Sequence, residues 1–401
     1  MCDIVVIGAG QAGASLAARL RSLGHDGTLT LVGREPVAPY QRPPLSKKYL
    51  LGEMVLERLY LRPESYYAEN GIELLTSCAV VSIDRAGRLI SVDGRTISYD
   101  WLALCTGAVP RTLPGSIGGT LEGVHTVRTL ADVDAMAPAF AEGARALIVG
   151  GGYIGLEAAA VAATSGMKVT LIEAAERILQ RVAAPETSDF FRKLHVRHGV
   201  DIREGVSLKR LVGESHVTGA VLSDGTELET DVVIVGIGVT PETGLAEAAG
   251  LEIENGIRTD IKGRTSDPSI WAAGDCASFP YRGRRIRLES VQNAIDQAEC
   301  VAANMLGAEE DYIPQPWFWS DQYDCKLQIA GLGTGYDRLV TRGGGDRVSF
   351  WYYAGGSLLA VDSVNDARAY MIGKRLLEMG KSPDPAVVSD PDADLKPLLR
   401  A

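Results

Sequence analysis

The 401-residue sequence has no Cys-x-x-Cys pair and no Cys/His cluster at metal-ligand spacing. Its six cysteines, Cys2, Cys78, Cys105, Cys276, Cys300 and Cys325, are scattered. That pattern argues against a redox-active disulfide, a structural zinc or an iron–sulfur cluster, and leaves the thiols as packing residues. No apolar run approaches the length of a membrane span. No basic segment, apolar leader or small-residue cleavage site precedes the first strand, so a cytoplasmic location is expected. Positive charge is also in deficit: 40 Lys and Arg face 51 Asp and Glu, and the net charge of -11 disfavours nucleic acid or an anionic membrane as a general partner. What is abundant is glycine, with 45 residues, in a chain that is 46% hydrophobic. This suits an α/β protein with many tight strand-to-helix turns, and the length implies two or three domains.

Two such turns stand out. "DIVVIGAGQAGASLAARL" runs from an apolar strand (Ile4 to Ile7) through Gly8, Gly10, Ala12 and Gly13 into an alanine-rich helix reaching about Leu23, followed by a strand from Thr28 to Val32. The first glycine makes the turn, the second lets the backbone approach a pyrophosphate, and the third lets helix pack on strand. Phosphates then sit on the helix N-terminus, where free N–H groups and the helix dipole favour negative charge. "ALIVGGGYIGLEAAA" repeats the pattern with Gly150, Gly152 and Gly155, and the following strand "KVTLIEA" ends in Glu173. An acid there accepts hydrogen bonds from a ribose 2′-OH and repels a 2′-phosphate, favouring NADH over NADPH. In the first turn the equivalent position is Gly33, with Arg34 and Glu35 just beyond. Two cradles in one chain imply two nucleotides, economically one fixed FAD and one exchanging nicotinamide.

The repeat extends further. "RAGRLISVDGRTISYDWLALCTG" predicts a hairpin turning at Asp93-Gly94 and a buried strand from Trp101 to Thr106, and "DGTELETDVVIVGIGVTP" repeats that plan. Ahead of both, just after the first glycine-turn unit, lies the Pro-rich loop "PYQRPPLSKKYL", carrying Arg42 and Lys47. "TSDPSIWAAGDCA" places Asp275 after a strand, at the sheet edge where α/β ligands bind. Apolar residues at helical spacing then predict a helix starting at Val291, marked by Ser290. From about Pro316, "WFWSDQYDCKLQIAGLG" and "VSFWYYAGGSLLAVDSVN" predict the strands of a small third domain.

Together "GAGQAG", "YQRPPLSK", "CTG", "GGGYIGLE", "IVGIGVTP", "AAGDCA", "ESVQNA" and "PWFWSDQY" resemble the FAD-dependent, NADH-using ferredoxin reductases that serve bacterial cytochrome P450 and Rieske-type oxygenase systems. The resemblance covers nearly the whole chain and implies the fold of glutathione reductase and apoptosis-inducing factor: α/β, with two Rossmann-like dinucleotide-binding domains for FAD and NAD plus a C-terminal α+β domain. It implies a split FAD domain at residues 1–110 and 244–316, an NAD domain at 111–243 and an interface domain at 317–401. It assigns Gly8, Gly10, Ala12, Gly13 and Arg42 to the FAD pyrophosphate, Arg34, Glu35 and Val80 to the adenosine end, and Asp275 to the ribityl or pyrophosphate region. Thr106, Gly107 and Arg128 join the flavin contacts, and Gly150, Gly152, Tyr153, Ile154, Gly155, Glu173, Arg181 and Gly238 complete the cofactor set. The helix at Val291 would turn its positive end to the N1/O2 side of the isoalloxazine, where charge accumulates on reduction. Lys47 and Glu157 are expected to position the nicotinamide carboxamide, and Trp319 to pack near the flavin. Hydride transfer needs no proteinaceous nucleophile, so the lack of a catalytic His or Cys motif fits. No metal is expected.

The implied partner is a [2Fe-2S] ferredoxin, usually acidic, so docking on this acidic chain requires a local basic patch. "YRGRRIRLES" supplies Arg282, Arg284, Arg285 and Arg287, and Lys326 follows the aromatic motif. The chain is expected to be a monomer or weak homodimer. Competing readings are a rubredoxin reductase, an NADH oxidase or disulfide reductase, which the cysteine pattern opposes, and an NADH-sensing flavoprotein like apoptosis-inducing factor.

Overall fold

A computed structural model describes residues 2–400 and divides the chain into two compact units. The first is assembled from Met1–Arg42, Val55–Val109 and Val239–Pro314, the second from Pro43–Met54, Pro110–Gly238 and Gln315–Ala401.

In the first unit, a five-stranded parallel sheet has the order Ile270–Ala272, Trp101–Leu104, Ile4–Ile7, Leu29–Val32, Glu73–Leu75. Ile4–Ile7 is buried on both faces and reads as continuous hydrophobic sequence for that reason. The helix Gln11–Ser22 buries Ala12, Leu16, Ala17 and Leu20, a stripe at i, i+4 and i+8. That stripe shares a core with Ala294, Ala298, Val301 and Ala302 of the helix Val291–Met305. Small residues on both helices permit close approach. Ser290 caps the second helix, its side chain accepting the N–H of Asn293, as the sequence predicted. A three-stranded meander, Val80–Asp84, Leu89–Val92 and Arg95–Ser98, turns through Asp93 and Gly94 at φ of 48° and 76°. Two positive φ values are what a two-residue hairpin turn demands.

The second unit repeats this plan. Its parallel sheet runs Asp201–Glu204, Lys168–Glu173, Arg145–Val149, Val232–Val235, Val124–His125, and a meander of Leu208–Gly213, Val217–Leu222 and Glu227–Glu229 accompanies it. To it is added an antiparallel five-stranded sheet of Trp317–Gln322, Cys325–Gly331, Ser357–Val364, Arg347–Ala354 and Arg338–Gly344. The helix Ala367–Glu378 covers it, with Ala369, Ile372 and Leu376 packed on Trp351, Tyr353 and Val361. The C-terminal part is therefore α+β, as expected. No helix among the described residues is long and apolar enough to cross a membrane.

Candidate functional site

Both glycine turns are built by the same contacts. Gly8 and Gly150 each sit at φ of 109°, where a side chain is strained. A Cβ on Gly8 would lie 2.1 Å from the carbonyl oxygen of Cys105 in "CTG", and one on Gly150 would lie 2.5 Å from that of Gly236 in "IVGIG". The repeated hairpin-strand-Gly plan thus ends against the turn it accompanies. Gly13 and Gly155 seat helix on strand, since a Cβ there would meet the oxygens of Gly8 and Gly150 at 1.9 and 2.0 Å. Around Gly10 and Gly152, in contrast, a Cβ would meet nothing within 4 Å. Each of these middle glycines caps its helix in an extended conformation, with no capping side chain and no acid in the first turn. Each helix thus starts at an uncrowded glycine with no first-turn acid to offset its dipole, an arrangement that favours a phosphate.

Beyond the second turn, Glu173 accepts the Gly151 N–H at 2.7 Å through Oε2 and the Ala175 N–H at 2.8 Å through Oε1. The acid at the strand end is thereby fixed against the turn. In the first unit Glu35 is engaged differently: it accepts from Arg42 and Tyr40, both at 2.5 Å. Burial alone would lower the Arg42 pKa, but Tyr40, Glu35 and Asp275 together raise it. Arg42 and Asp275 therefore influence each other across 233 positions of sequence, beside the cradle.

Glu157 lies one turn into the helix Tyr153–Thr164, 7% exposed. Its Oε1 receives Lys47 Nζ at 3.0 Å and Ser320 Oγ at 2.7 Å, and its Oε2 receives Ser46 Oγ at 3.3 Å. Lys47 also stands 3.7 Å from Asp321. Burial raises the Glu157 pKa, while Lys47 and the two serine hydroxyls hold it down. The balance leaves it above the ordinary carboxylate value, and losing any of those donors would raise it further. The Pro-rich segment that carries Lys47 is a short helical turn, Leu45–Tyr49, broken at Lys47 by φ of -137° and ψ of -114°, rather than the open stiff loop expected. The break separates Lys47 from the regular turn and its side chain meets Glu157.

A family model described as pyridine nucleotide-disulphide oxidoreductase matches residues 2–298, and one described as reductase C-terminal matches 317–399. The chain belongs to the pyridine nucleotide-disulphide oxidoreductase family. It is 44% identical over 405 residues to a ferredoxin–NAD(P)+ reductase from Sphingomonas sp, covering 99% of this chain and 97% of that protein. It is 41% identical over 409 residues to putidaredoxin reductase CamA from Pseudomonas putida, covering 100% and 97%. A crystal structure of the covalent putidaredoxin reductase–putidaredoxin complex superposes with a TM-score of 0.96 at 40% identity, covering 100% of this chain and 98% of that one. The chain is an oxidoreductase, and the cofactors of this family and of its putidaredoxin reductase members are FAD and NADH.

In this reductase the first unit gathers Gly8, Gly10, Ala12, Gly13, Arg34, Glu35, Arg42, Val80, Thr106, Gly107, Asp275 and Val291. A Cβ on Gly274 would come within 2.9 Å of the Ala12 Cβ, so "AAGD" abuts "GAGQAG". The Thr106 hydroxyl donates to the Glu242 carbonyl at 2.6 Å, and Arg34 is exposed. These residues fit a dinucleotide: an open backbone cradle, a helix end without its own anion and an arginine set at its side. The second unit holds Lys47, Arg128, Gly150, Gly152, Tyr153, Ile154, Gly155, Glu157, Glu173, Arg181, Gly238 and Trp319. Ile154 and Arg181 are exposed, whereas the Tyr153 hydroxyl is buried and its ring lies 4.9 Å from Phe318. Trp319 is half-buried beside Trp317 at 5.6 Å. Two of the arginines expected on a basic patch point inward. Arg285 donates to the carbonyls of Thr259 and Ser278, and Arg287 to that of Asp275 while pairing with Glu289. Arg282, Arg284 and Lys326 are exposed. Sequence reasoning missed Gln297, which accepts the Gly274 N–H at 2.9 Å, and Ser46 and Ser320 beside Glu157. A polar residue at a core-facing helix position was the available signal for Gln297.

Proposed function

We propose that the chain is an FAD-dependent NADH:ferredoxin oxidoreductase that passes single electrons to a [2Fe-2S] ferredoxin feeding a P450- or Rieske-type oxygenase. The observation that carries this reading is the buried Lys47–Glu157 pair beside the second glycine turn, in a chain that also has a second, separate cradle. A relative named ferredoxin–NAD(P)+ reductase, one named putidaredoxin reductase, and a neighbour solved in covalent complex with putidaredoxin support the acceptor class.

When bound, FAD supplies two-electron acceptance from hydride and release in single steps. The protein's part is binding and orientation. Gly10 and the helix behind it would hold the FAD pyrophosphate, with Arg42 and Asp275 at its side. Gly152 and the Tyr153–Thr164 helix would hold the NADH pyrophosphate, and Glu173 would receive the adenosine ribose. Lys47 and Glu157 would hold the carboxamide through paired donor and acceptor, so that the reacting carbon is presented in one orientation. Arg128 and Trp319 are assigned to the flavin by the resemblance. The functional division follows the same reading: residues 1–110 with 244–316 for FAD, 111–243 for NAD and 317–401 as interface domain. Arg282, Arg284 and Lys326 are the exposed cations available for an acidic partner.

The purified protein should be yellow, with about one FAD per chain, and anaerobic NADH should bleach it. Coupled cytochrome c assays with a [2Fe-2S] ferredoxin and with a rubredoxin then separate the two acceptor classes. A reduced complex that persists in air and turns over with neither acceptor would instead mark a sensing protein.

A further inference from the structure

The strand Trp317–Gln322 turns alternate residues, Ser320 and Gln322, inward, and both are no more than 1% exposed. Their bonds form a line. Ser320 Oγ lies 2.7 Å from Glu157 Oε1, Gln322 Nε2 lies 3.1 Å from Ser320 Oγ, His195 Nε2 lies 2.8 Å from Gln322 Oε1, and Tyr323 Oη lies 3.2 Å from His195 Nδ1. An ionised carboxylate only accepts, so Ser320 must donate to Glu157. Ser320 then accepts from the Gln322 amide N–H, which turns the Gln322 oxygen to His195. His195 must donate from Nε2, and its Nδ1 accepts from Tyr323. One charge fixes every proton along the line. Burial lowers the His195 pKa to about 4, which keeps the ring neutral as this scheme requires.

Two further features anchor the far end. Tyr323 is a non-glycine residue at φ of 56° in the two-residue turn after the strand, a strained conformation. Its ring is stacked on His198 at 3.7 Å and 10°, and His198 Nδ1 bonds the Leu194 carbonyl. The line thus runs from the exposed His198 to the buried Glu157.

We propose that Ser320, Gln322 and His195 are positioning residues that hold Glu157 ionised and aimed at Lys47 through a one-directional hydrogen-bond chain. The inference rests on the reading of Lys47–Glu157 as the nicotinamide-orienting pair. The ionisable groups facing Glu157 are Lys47 from the Leu45–Tyr49 turn and, through Lys47, Asp321 from the C-terminal strand. Those facing His195 are His198 on its own helix and Tyr323 from the hairpin turn. Removing a donor destabilises the charged carboxylate, so Glu157 protonates at higher pH. The acid limb of the flavin-reduction rate should therefore shift upward by about one pH unit.

The test uses the FAD-loaded protein, NADH and stopped-flow reduction across pH, with FAD content and thermal melting as controls. Ser320→Ala and His195→Leu should shift the acid limb upward while FAD stays bound, and His195→Gln, which restores a donor, should return it. ¹⁵N-histidine spectra should place His195 in the neutral Nε2–H form, and Ser320→Ala should disturb that tautomer. Unchanged pH profiles in Ser320→Ala and His195→Leu, alongside slowed reduction in Glu157→Gln, would overturn the chain and leave the pair standing. Unaltered reduction in Glu157→Gln would overturn both. A His195 signal protonated on Nδ1 at neutral pH would also defeat the proposal.

Discussion

At the scale of single residues, Glu173 and Lys47 give the sharpest expectations. Glu173, proposed above to receive the adenosine ribose, ties down the turn through the Gly151 N–H. Replacing it by Ser together with Ala174→Arg should raise the NADPH/NADH ratio of kcat/KM on the order of tenfold or more. Steady-state kinetics with both nucleotides checks this, and an unchanged ratio would remove Glu173 from the ribose site. Lys47→Met leaves Glu157 buried without its cation, and the Glu157 pKa, already raised by burial, climbs further. A raised folded-state pKa contributes stability at low pH that is lost as pH rises through it. The unfolding free-energy deficit of Lys47→Met, measured by urea denaturation at a series of pH values, should thus be small near pH 5 and widen toward pH 8, reaching about 3 kcal/mol or more. Motif spacing made the glycines legible in sequence, and Lys47 and Glu157 were legible only through the family resemblance. Ser320 and His195 were not, because their meaning comes from partners 163 and 127 positions away. A side chain's donor or acceptor role is set by what it meets.

Among the elements, the helix Pro185–Arg197 meets the C-terminal sheet through a buried carboxylate. Asp362 accepts from Tyr352 at 2.5 Å and Thr187 at 2.9 Å, and burial pushes its pKa up to about 6. Since the folded value exceeds the unfolded one, stability is lost between about pH 4 and pH 6, by about 3 kcal/mol. Asp362→Asn keeps an acceptor for both hydroxyls without the charge. Its stability relative to the parent should therefore rise across that window and level off above it, as measured by urea denaturation at a series of pH values. A constant difference would show that Asp362 does not titrate there. The strands flanking the glycine turns, the Asp93-Gly94 hairpin and the Ser290 cap followed from hydrophobic runs, turn residues and capping chemistry, whereas the first strand of each meander did not. The Leu45–Tyr49 turn did not, because two prolines read as a stiff loop whereas they precede a helical turn that Leu45 and Ser46 bury. The inward course of Arg285 was equally hidden, since a run of arginines carries no sign of which carbonyls it will meet.

For the molecule as a whole, the net charge of -11 opposes an acidic partner, so any attraction must be local. Arg282→Glu with Arg284→Glu should raise the KM for a [2Fe-2S] ferredoxin several-fold and leave ferricyanide reduction intact. Equal loss with both acceptors would retire the patch. Arg285 is excluded from that test because its guanidinium is held by backbone carbonyls, and its removal would act on the fold.

The parallel sheet of the first unit takes its edge strand from Ile270–Ala272, and the helix lying against its opening glycine turn ends at Met305. A ribosome has therefore made three quarters of the polypeptide before that flavin cradle can close. The five strands of the second unit's parallel sheet, from Val124–His125 to Val232–Val235, are by then already synthesised, so protease protection of nascent chains should reach that sheet first.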